Sequence, residues 1–256
     1  LSAVVGINWG DEGKGRIVDY LAPKYDVVSR YQGGNNAGHT VVNDKGKFIL
    51  NLLPSGILQD GTVNVLGTGM VIDIEHLVNE IGKLREGGIK ISPKNLKISD
   101  RATICMPYHR LEDRLSDKKF GSTRRGIGPV YSDKYMKKTI RMGDLFDLES
   151  IKEHLYDIVE WKNLIIVGGY HHEPIDAEEM YNWLKTYGEP LLPYICDTSE
   201  YLTKAANKNK NILFEAQLGA MRDIDFGIYP YTSSSNSIAA FSTTGAGIPQ
   251  VNLDEC

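Results

Sequence analysis

Cysteine is scarce in this 256-residue chain: Cys105, Cys196 and Cys256 are odd in number and widely spaced, and no CxxC pair occurs. That excludes a disulfide framework or a zinc knuckle as the basis of the fold. No apolar run approaches the roughly 20 residues that a helix needs to span a bilayer. The opening Leu1 to Gly6 is apolar but follows no basic stretch, so it does not have the pattern of a signal peptide. Charge of one sign is not in excess either. Lys plus Arg number 29 against 33 Asp plus Glu, a net charge of −4, which gives no general reason to bind nucleic acid. Any anionic ligand must then be held by a local site. Internal repeats and low-complexity segments are absent. The expectation is a soluble protein of a reducing compartment, the cytoplasm, with neither a nucleic acid nor a membrane as partner. What is present is ordinary globular material, 41% hydrophobic and 24% charged. A chain of this length buries about 70% of its surface on folding, enough for one large domain or two small ones.

The hydrophobic pattern alternates between the strand and helix periods. Ser2 to Asn8 is a β-branched run, followed by GDEGKG (10–15) and by Ile17, Val18, Tyr20 and Leu21 at helical spacing. Asp26 to Tyr31 predicts a second strand, leading into GGNNAGHT (33–40). Val41 to Leu53 holds two apolar runs around residues 43–46, a hairpin pattern. Thr62 to Leu66 predicts a strand. Ile74, Leu77, Val78, Ile81 and Leu84 predict a helix ended by Gly87 and Gly88. Helices are predicted over Glu149–Trp161, Asp176–Lys185 and Asp197–Lys208, the last capped by Asp197, Thr198 or Ser199, and a buried strand over Ile212–Phe214. The expected fold is α/β, a mostly parallel central sheet with helices on both faces and a helical subdomain. It is expected to form one domain over residues 1–256, with a mainly helical insertion at roughly 100–208. In such sheets ligands bind beyond the carboxyl ends of the strands.

Four loops carry groups that can do chemistry. GDEGKG sits between a strand and a helix, where glycines let backbone amides approach a phosphate and Lys14 adds a charge. It is not a Walker A loop, which needs Gly at position 8 and Ser or Thr at position 15, where Asn8 and Gly15 stand. A plain glycine turn with solvated Asp11 and Glu12 explains it equally well. GGNNAGHT sets Asn35, Asn36, His39 and Thr40 among glycines. Asp as base, His as acid and Lys against phosphate would suit proton and phosphoryl transfer if the two loops converge. GSTRRGIGP (121–129), followed by Tyr131, Lys134, Lys137, Lys138 and Arg141, fits an anion-binding loop or a solvated basic one. In Ala216 to Asn236, the run Thr232 to Ser235 could bind phosphate oxygens or form a capped turn. His76, His109 and His154 are expected to be surface or helix residues, and His171 and His172 lack a third ligand.

Together these motifs resemble the adenylosuccinate synthetase family. The resembling stretches are NWGDEGKG (8–15), RYQGGNNAGHT (30–40), LPSGIL (53–58), STRRGIGPVYSDK (122–134), GDLFD (143–147) and DIDFGIYPYTSSSN (223–236), in the family's order. The resemblance implies a P-loop-like nucleotide-binding architecture. It further implies a homodimer that joins IMP to L-aspartate using GTP and Mg2+, through a 6-phosphoryl intermediate, to give adenylosuccinate for purine biosynthesis. Matching positions make Asp11 the catalytic base and His39 the catalytic acid. They give Lys14, Asn36, Thr123, Lys137, Gln217 and Ser233 to IMP. They give Gly10, Glu12, Gly13, Lys14, Gly15, Gly38, His39 and Thr40 to GTP, and Asp11 with the Gly38 carbonyl to the metal.

The sequence also departs from the family. Lys137 stands where Arg is usual, at the position that reaches across the dimer to the IMP phosphate, and Lys lacks the bidentate fork. FEAQLG (214–219) replaces FEGAQG, which sets Leu218 opposite the IMP-binding Gln and leaves Gln217 beside it. Ser233 replaces a frequent Thr, Asn35 and Asn51 replace a common His, and the stretch from His109 to Gly121 is short. Family members continue well past Cys256, with an arginine-rich aspartate loop and a guanine-reading strand. The chain is therefore expected to be incomplete at its C-terminus. A nucleotide-binding or dimerisation fragment without catalysis, or a related ligase for another purine nucleotide, is the alternative.

Overall fold

The computed structural model describes residues 1–43, 46–116 and 121–256. In chain order the strands are β1 (Ser2–Gly6), β2 (Val27–Arg30), β3 (His39–Asn43), β4 (Gly46–Leu50), β5 (Val63–Leu66), β6 (Val71–Ile72), β7 (Leu96–Ser99), β8 (Thr103–Ile104), β9 (Ile195–Cys196) and β10 (Ile212–Gly219). The α-helices are α1 (Lys14–Leu21), α2 (Ile74–Glu86), α3 (Pro107–Ser116), α4 (Ile127–Met136), α5 (Lys152–Ile166), α6 (Ala177–Gly188), α7 (Thr198–Asn207) and α8 (Ser242–Ala246). Six strands form the central sheet in the order β1-β10-β2-β5-β7-β9, and every neighbouring pair is parallel. The expected mostly parallel sheet is thus present, with the last strand inserted between the first two.

Strands covered on both faces need apolar side chains on both, and β2 and β10 have them. Val28 and Leu213 pack with Val18 of α1 and with Ala22 just after it on one face. Val27, Ile212 and Phe214 pack with Leu202 and Ala205 of α7 on the other. The largest apolar cluster lies further along the sheet, where Leu66, Leu96 and Ile98 meet α2, α5 and α6. Helices α3 to α6 all fall between β7 and β9 in the chain, whereas α7 follows β9 and packs on the sheet.

The predicted hairpin is β3 against β4, with His39 opposite Leu50; Asp44 and Lys45 at its turn lie outside the described residues. So do residues 117–120, in the stretch from His109 to Gly121. Aspartates cap three helices: Asp73 accepts from His76 N at 3.0 Å, Asp176 from Glu179 N at 2.8 Å and Asp197 from Glu200 N at 2.8 Å. Of the three candidate caps for α7, Asp197 is the one used. The helix expected over Glu149–Trp161 is shifted to Lys152–Ile166. Asp147 binds the Ser150 amide at 3.2 Å, which holds the first residues in a turn, while the buried Ile166 extends the apolar stripe of Leu155, Ile158 and Val159. The strand expected over Ile212–Phe214 runs on to Gly219, because Glu215 and Gln217 are buried with hydrogen-bond partners rather than ending it.

Candidate active site

Because β1, β10 and β2 are parallel neighbours, the segments that follow them leave the sheet side by side. The segment after β1 is the GDEGKG loop. Gly10, Asp11 and Gly13 all take left-handed backbone, φ 104°, 56° and 82°; Asp is one of the few non-glycine residues that adopt it readily. Gly13 starts α1 without a side-chain cap, so the first amides of the helix stay open to an acceptor. Glu12 turns back on its own loop and accepts from Asn8 N at 3.0 Å and Ile7 N at 3.1 Å. The Asn8 amide, the largest influence, holds its carboxyl below the ordinary value. Lys14 is buried; burial pushes its ammonium down, against the pull of Glu12, Asp11 and Glu215.

The segment after β2 is GGNNAGHT, and it is pressed against the first loop. A Cβ on Gly15 would lie 2.7 Å from the His39 Cβ, so α1 can meet β3 this closely only through glycine. His39 Nδ1 lies 2.6 Å from Glu215 Oε1 on β10. Glu215 is fully buried and also accepts from Ser55 N and Ser55 Oγ, each at 2.7 Å. Burial pushes the Glu215 carboxyl up, but the bond to His39, the charge of Arg30 and the Ser55 amide outweigh it and hold it below the ordinary value. A carboxylate partner assigns the proton to Nδ1 and leaves Nε2 to the cavity that His39 lines.

Two cavities open at this face. The smaller, about 250 Å3, is walled by Asp11, Glu12, Gly13, Lys14 and Gly15 from one loop and by Gly38, His39 and Thr40 from the other. The larger, about 430 Å3, takes Asn36 from the second loop, Ser122 and Thr123 from the segment before α4, and Thr232, Ser233 and Ser234 from the segment after β10. Leu218 belongs to both walls, so the cavities adjoin. Asp113 of α3 fastens the Thr123 segment by accepting from Gly126 N at 2.8 Å and Ser122 Oγ at 2.5 Å. Asp223 organises the hydroxyl segment, taking the amides of Asp225 at 3.0 Å and Ser237 at 2.6 Å.

Not every expected site residue reaches a cavity. Gln217 is sealed inside: its Nε2 donates to Gly34 O at 2.7 Å, and it fills the space that a Cβ on Gly33 would need. Leu218 takes the cavity side in its place, at φ 64°. Gly10 backs onto Leu218 and lines neither cavity. Lys14 serves the smaller cavity alone. Lys137 is exposed at the C-cap of α4 with left-handed backbone, φ 62°, outside both. His109, expected at the surface or on a helix, lies on α3 but is buried.

Among the described residues no three His, Cys, Asp or Glu are grouped so as to hold a metal ion. Magnesium does not require such a cage, since it is commonly held by one or two carboxylates plus substrate phosphates. The Asp11 carboxylate and the Gly38 carbonyl, both hard oxygen donors in the wall of the smaller cavity, fit that mode. Among the described residues no helix is long and apolar enough to cross a membrane.

Comparison with known proteins agrees with this arrangement. The Adenylosuccinate synthetase family profile matches residues 3–256. The chain is 47% identical to the adenylosuccinate synthetase of Halothermothrix orenii over 98% of its own length and 60% of that protein's. It is 45% identical to that of Caldanaerobacter subterraneus, over 99% of this chain and 60% of the relative. The chain belongs to the adenylosuccinate synthetase family. Its backbone superposes on the fully ligated family member from Plasmodium falciparum with a TM-score of 0.88 at 35% identity, covering 97% of this chain and 58% of the other. A cyanophage S-2L succinoaminodeoxyadenylate synthetase shares the fold, with a TM-score of 0.67 at 21% identity. The chain spans about 60% of the length of the curated family members it matches.

Sequence reasoning passed over Glu215, Ser55 and Arg30, which sit directly behind His39. The available signal was a charge inside an apolar strand. ILFEAQLG sets Glu215 among buried residues, and a buried carboxylate needs partners.

Proposed function

We propose that the protein to which this chain belongs joins IMP and L-aspartate to form adenylosuccinate at the expense of GTP, and that the residues described above supply the phosphoryl-transfer half of the site. The observation that carries this reading is the shared wall. One cavity has the amides, Lys14 and the carboxylate suited to a nucleoside triphosphate's phosphates. The other has hydroxyls and amides suited to a nucleoside monophosphate, and Leu218 borders both.

The 6-oxygen of a 6-oxopurine is a poor leaving group and must be activated. Asp11 takes the proton from N1 of the ring, which makes O6 nucleophilic. O6 attacks the γ-phosphorus of GTP, the bond from that phosphorus to the β,γ-bridging oxygen breaks, and GDP leaves. His39, its Nδ1–H held by Glu215 and its Nε2 protonated as well, donates a hydrogen bond from Nε2 to the transferring group. Lys14 and the first amides of α1 hold the phosphate oxygens, replacing the water that would otherwise solvate the charge. The amine of aspartate then attacks C6, the C6–O6 bond breaks, and inorganic phosphate departs. Asp11 and the Gly38 carbonyl would hold Mg2+, which supplies charge neutralisation for the phosphates when bound. Homodimerisation is part of the reading. Tyr135 and Met136 are 77% and 50% exposed beside Lys137, an apolar end of α4 suited to cover by a second copy that would take Lys137 towards its IMP phosphate.

The test is product formation by the full-length protein with IMP, L-aspartate, GTP and Mg2+, followed by mass spectrometry. Adenylosuccinate that appears only when all four are present supports the reading. Nucleotide binding without product would leave a binding fragment, and product from another purine monophosphate alone would change the substrate.

A further inference from the structure

The larger cavity has a single cationic side chain among its described lining residues, Arg222, and no step above uses it. Arg222 ends the short turn Ala220–Arg222 that follows β10. Its carbonyl accepts from Ser233 N at 2.7 Å, and the neighbouring Met221 N donates to Asn8 O at 3.2 Å. The residue is thereby fastened both to the hydroxyl segment and to the loop that carries Asp11. Its guanidinium carbon lies 5.3 Å from the centroid of the Trp9 ring, within stacking range, which limits where the fork can point. Its Nε is buried and has no hydrogen-bond partner. A donor held in that way is short of an acceptor, and buried donors are rarely left so. The side chain of Leu218, in the same wall, offers none.

We propose that Arg222 reads the O6/N7 edge of the 6-oxopurine bound in the larger cavity. This rests on the reading of a 6-oxopurine nucleotide as substrate. O6 and N7 are two acceptors side by side, and the guanidinium fork matches them with two parallel N–H donors. A 6-aminopurine presents a donor at the 6-position. A guanidinium has only donors, so it cannot pair with that group. The location favours the base over the phosphate. Arg222 stands against Trp9 and Leu218, beside the loop whose Asp11 must reach the ring, whereas Ser122 and Thr123 belong to a different wall, fastened by α3. A cation at O6 also favours the ring after N1 has lost its proton, because the negative charge then spreads onto O6.

The experiment is titration calorimetry of the full-length protein and of Arg222→Met with IMP, inosine and AMP. Methionine keeps an unbranched apolar stem against Trp9, and a thermal melt of the variant confirms folding. The unsubstituted protein should bind IMP in preference to AMP. Arg222→Met should lose at least about tenfold in affinity for IMP and for inosine alike, as expected for one bidentate base contact, with AMP unchanged, so that the preference collapses. Arg222→Lys, which keeps the charge but not the fork, should recover little of it. Unchanged IMP and inosine binding in Arg222→Met would overturn the proposal. So would a loss confined to IMP, which would assign the guanidinium to the phosphate. If the unsubstituted protein binds no IMP at all, the substrate reading fails first, and this inference falls with it.

Discussion

Two buried histidine–carboxylate pairs stand in different parts of the molecule. At the strand ends, His39 Nδ1 meets Glu215 Oε1 at 2.6 Å. Among the helices, His109 Nε2 meets Asp133 Oδ2 at 3.0 Å. The difference lies in the second nitrogen. His109 Nδ1 accepts from Met106 N at 2.9 Å, so both ring nitrogens are consumed by the fold. Asp133 is also held by Lys162 at 2.7 Å, and Lys162 by Glu112 at 2.6 Å, a network that joins α3, α4 and α5. Burial pushes the His109 imidazolium down, against the pull of Asp133, and the surroundings suit a neutral ring that never has to change state. His39 has its carboxylate behind it and a cavity in front. The same pair is closed on both sides in one place and faces a cavity in the other; the second nitrogen, not burial or the ion pair, separates them.

The sharpest way to break this comparison is to remove each ring. His39→Asn in the full-length protein should lower kcat by about 10²–10⁴-fold, the usual worth of a positioned acid, while the melting temperature barely moves. His109→Asn should do the reverse. It takes the ring N–H away from the buried Asp133 carboxylate, and a buried acceptor left short of its donor costs about 1–3 kcal/mol, read as an earlier urea midpoint at near-normal kcat for the folded fraction. If the two variants swap phenotypes, the roles are misassigned.

Glu215→Gln sharpens it further. The isosteric amide keeps the shape but removes the negative charge that favours a ring protonated at both nitrogens. Turnover should fall by about 10–100-fold with KM for IMP unchanged, as when a histidine's outer partner is removed elsewhere. Nitrogen chemical shifts of the His39 ring should show the loss of its second proton. A lower kcat with unmoved ring nitrogen shifts would mean that Glu215 merely packs.

The proposed reach of Lys137 into a second subunit predicts a smaller effect. Lys137→Ala should weaken IMP about tenfold, the order of one charge-assisted contact, and leave GTP alone. Equal losses for both would break the assignment.

The smallest effect concerns Lys134, whose ammonium is pushed down to about 8 by burial and then by Arg141. The unfolded chain titrates near 10.4. Between those values the unfolded state binds the proton that the folded state has released, so stability rises with pH across that window; below about 8 the cost of burying the charge is fully present. Lys134→Met should therefore gain most over the unsubstituted protein at pH 7, and its advantage should shrink by pH 10. An advantage that does not change with pH in urea unfolding would contradict this.

Much of this was legible in the sequence, and the gaps have physical causes. Runs such as VVSR and TVNVL announce buried parallel strands by their β-branched side chains, and the glycines of GDEGKG and GGNNAGHT announce close backbone approach. The insertion of β10 between β1 and β2 was not legible, because a pairing over 180 residues away leaves no local mark. Glu215 was lost for that reason: without its neighbour at β2, a carboxylate in a strand looks like the strand's end. The placing of Gln217 was not legible because strand alternation decides which side chain faces the cavity, and only the register of β10 sets Gln217 inward and Leu218 outward. His109 was read as an ordinary surface or helix residue because its partner Asp133 lies on another helix.

The most direct measurement is positional isotope exchange in GTP labelled with oxygen-18 at the β,γ-bridge, with IMP present and aspartate withheld. If the two cavities are one phosphoryl-transfer site, the full-length protein should scramble the bridge label in an IMP-dependent way, and Asp11→Asn should bind IMP yet leave the label in place. A protein that turns over normally with aspartate but shows no exchange without it, or an Asp11→Asn variant that scrambles at the ordinary rate, would contradict transfer from the smaller cavity to the larger.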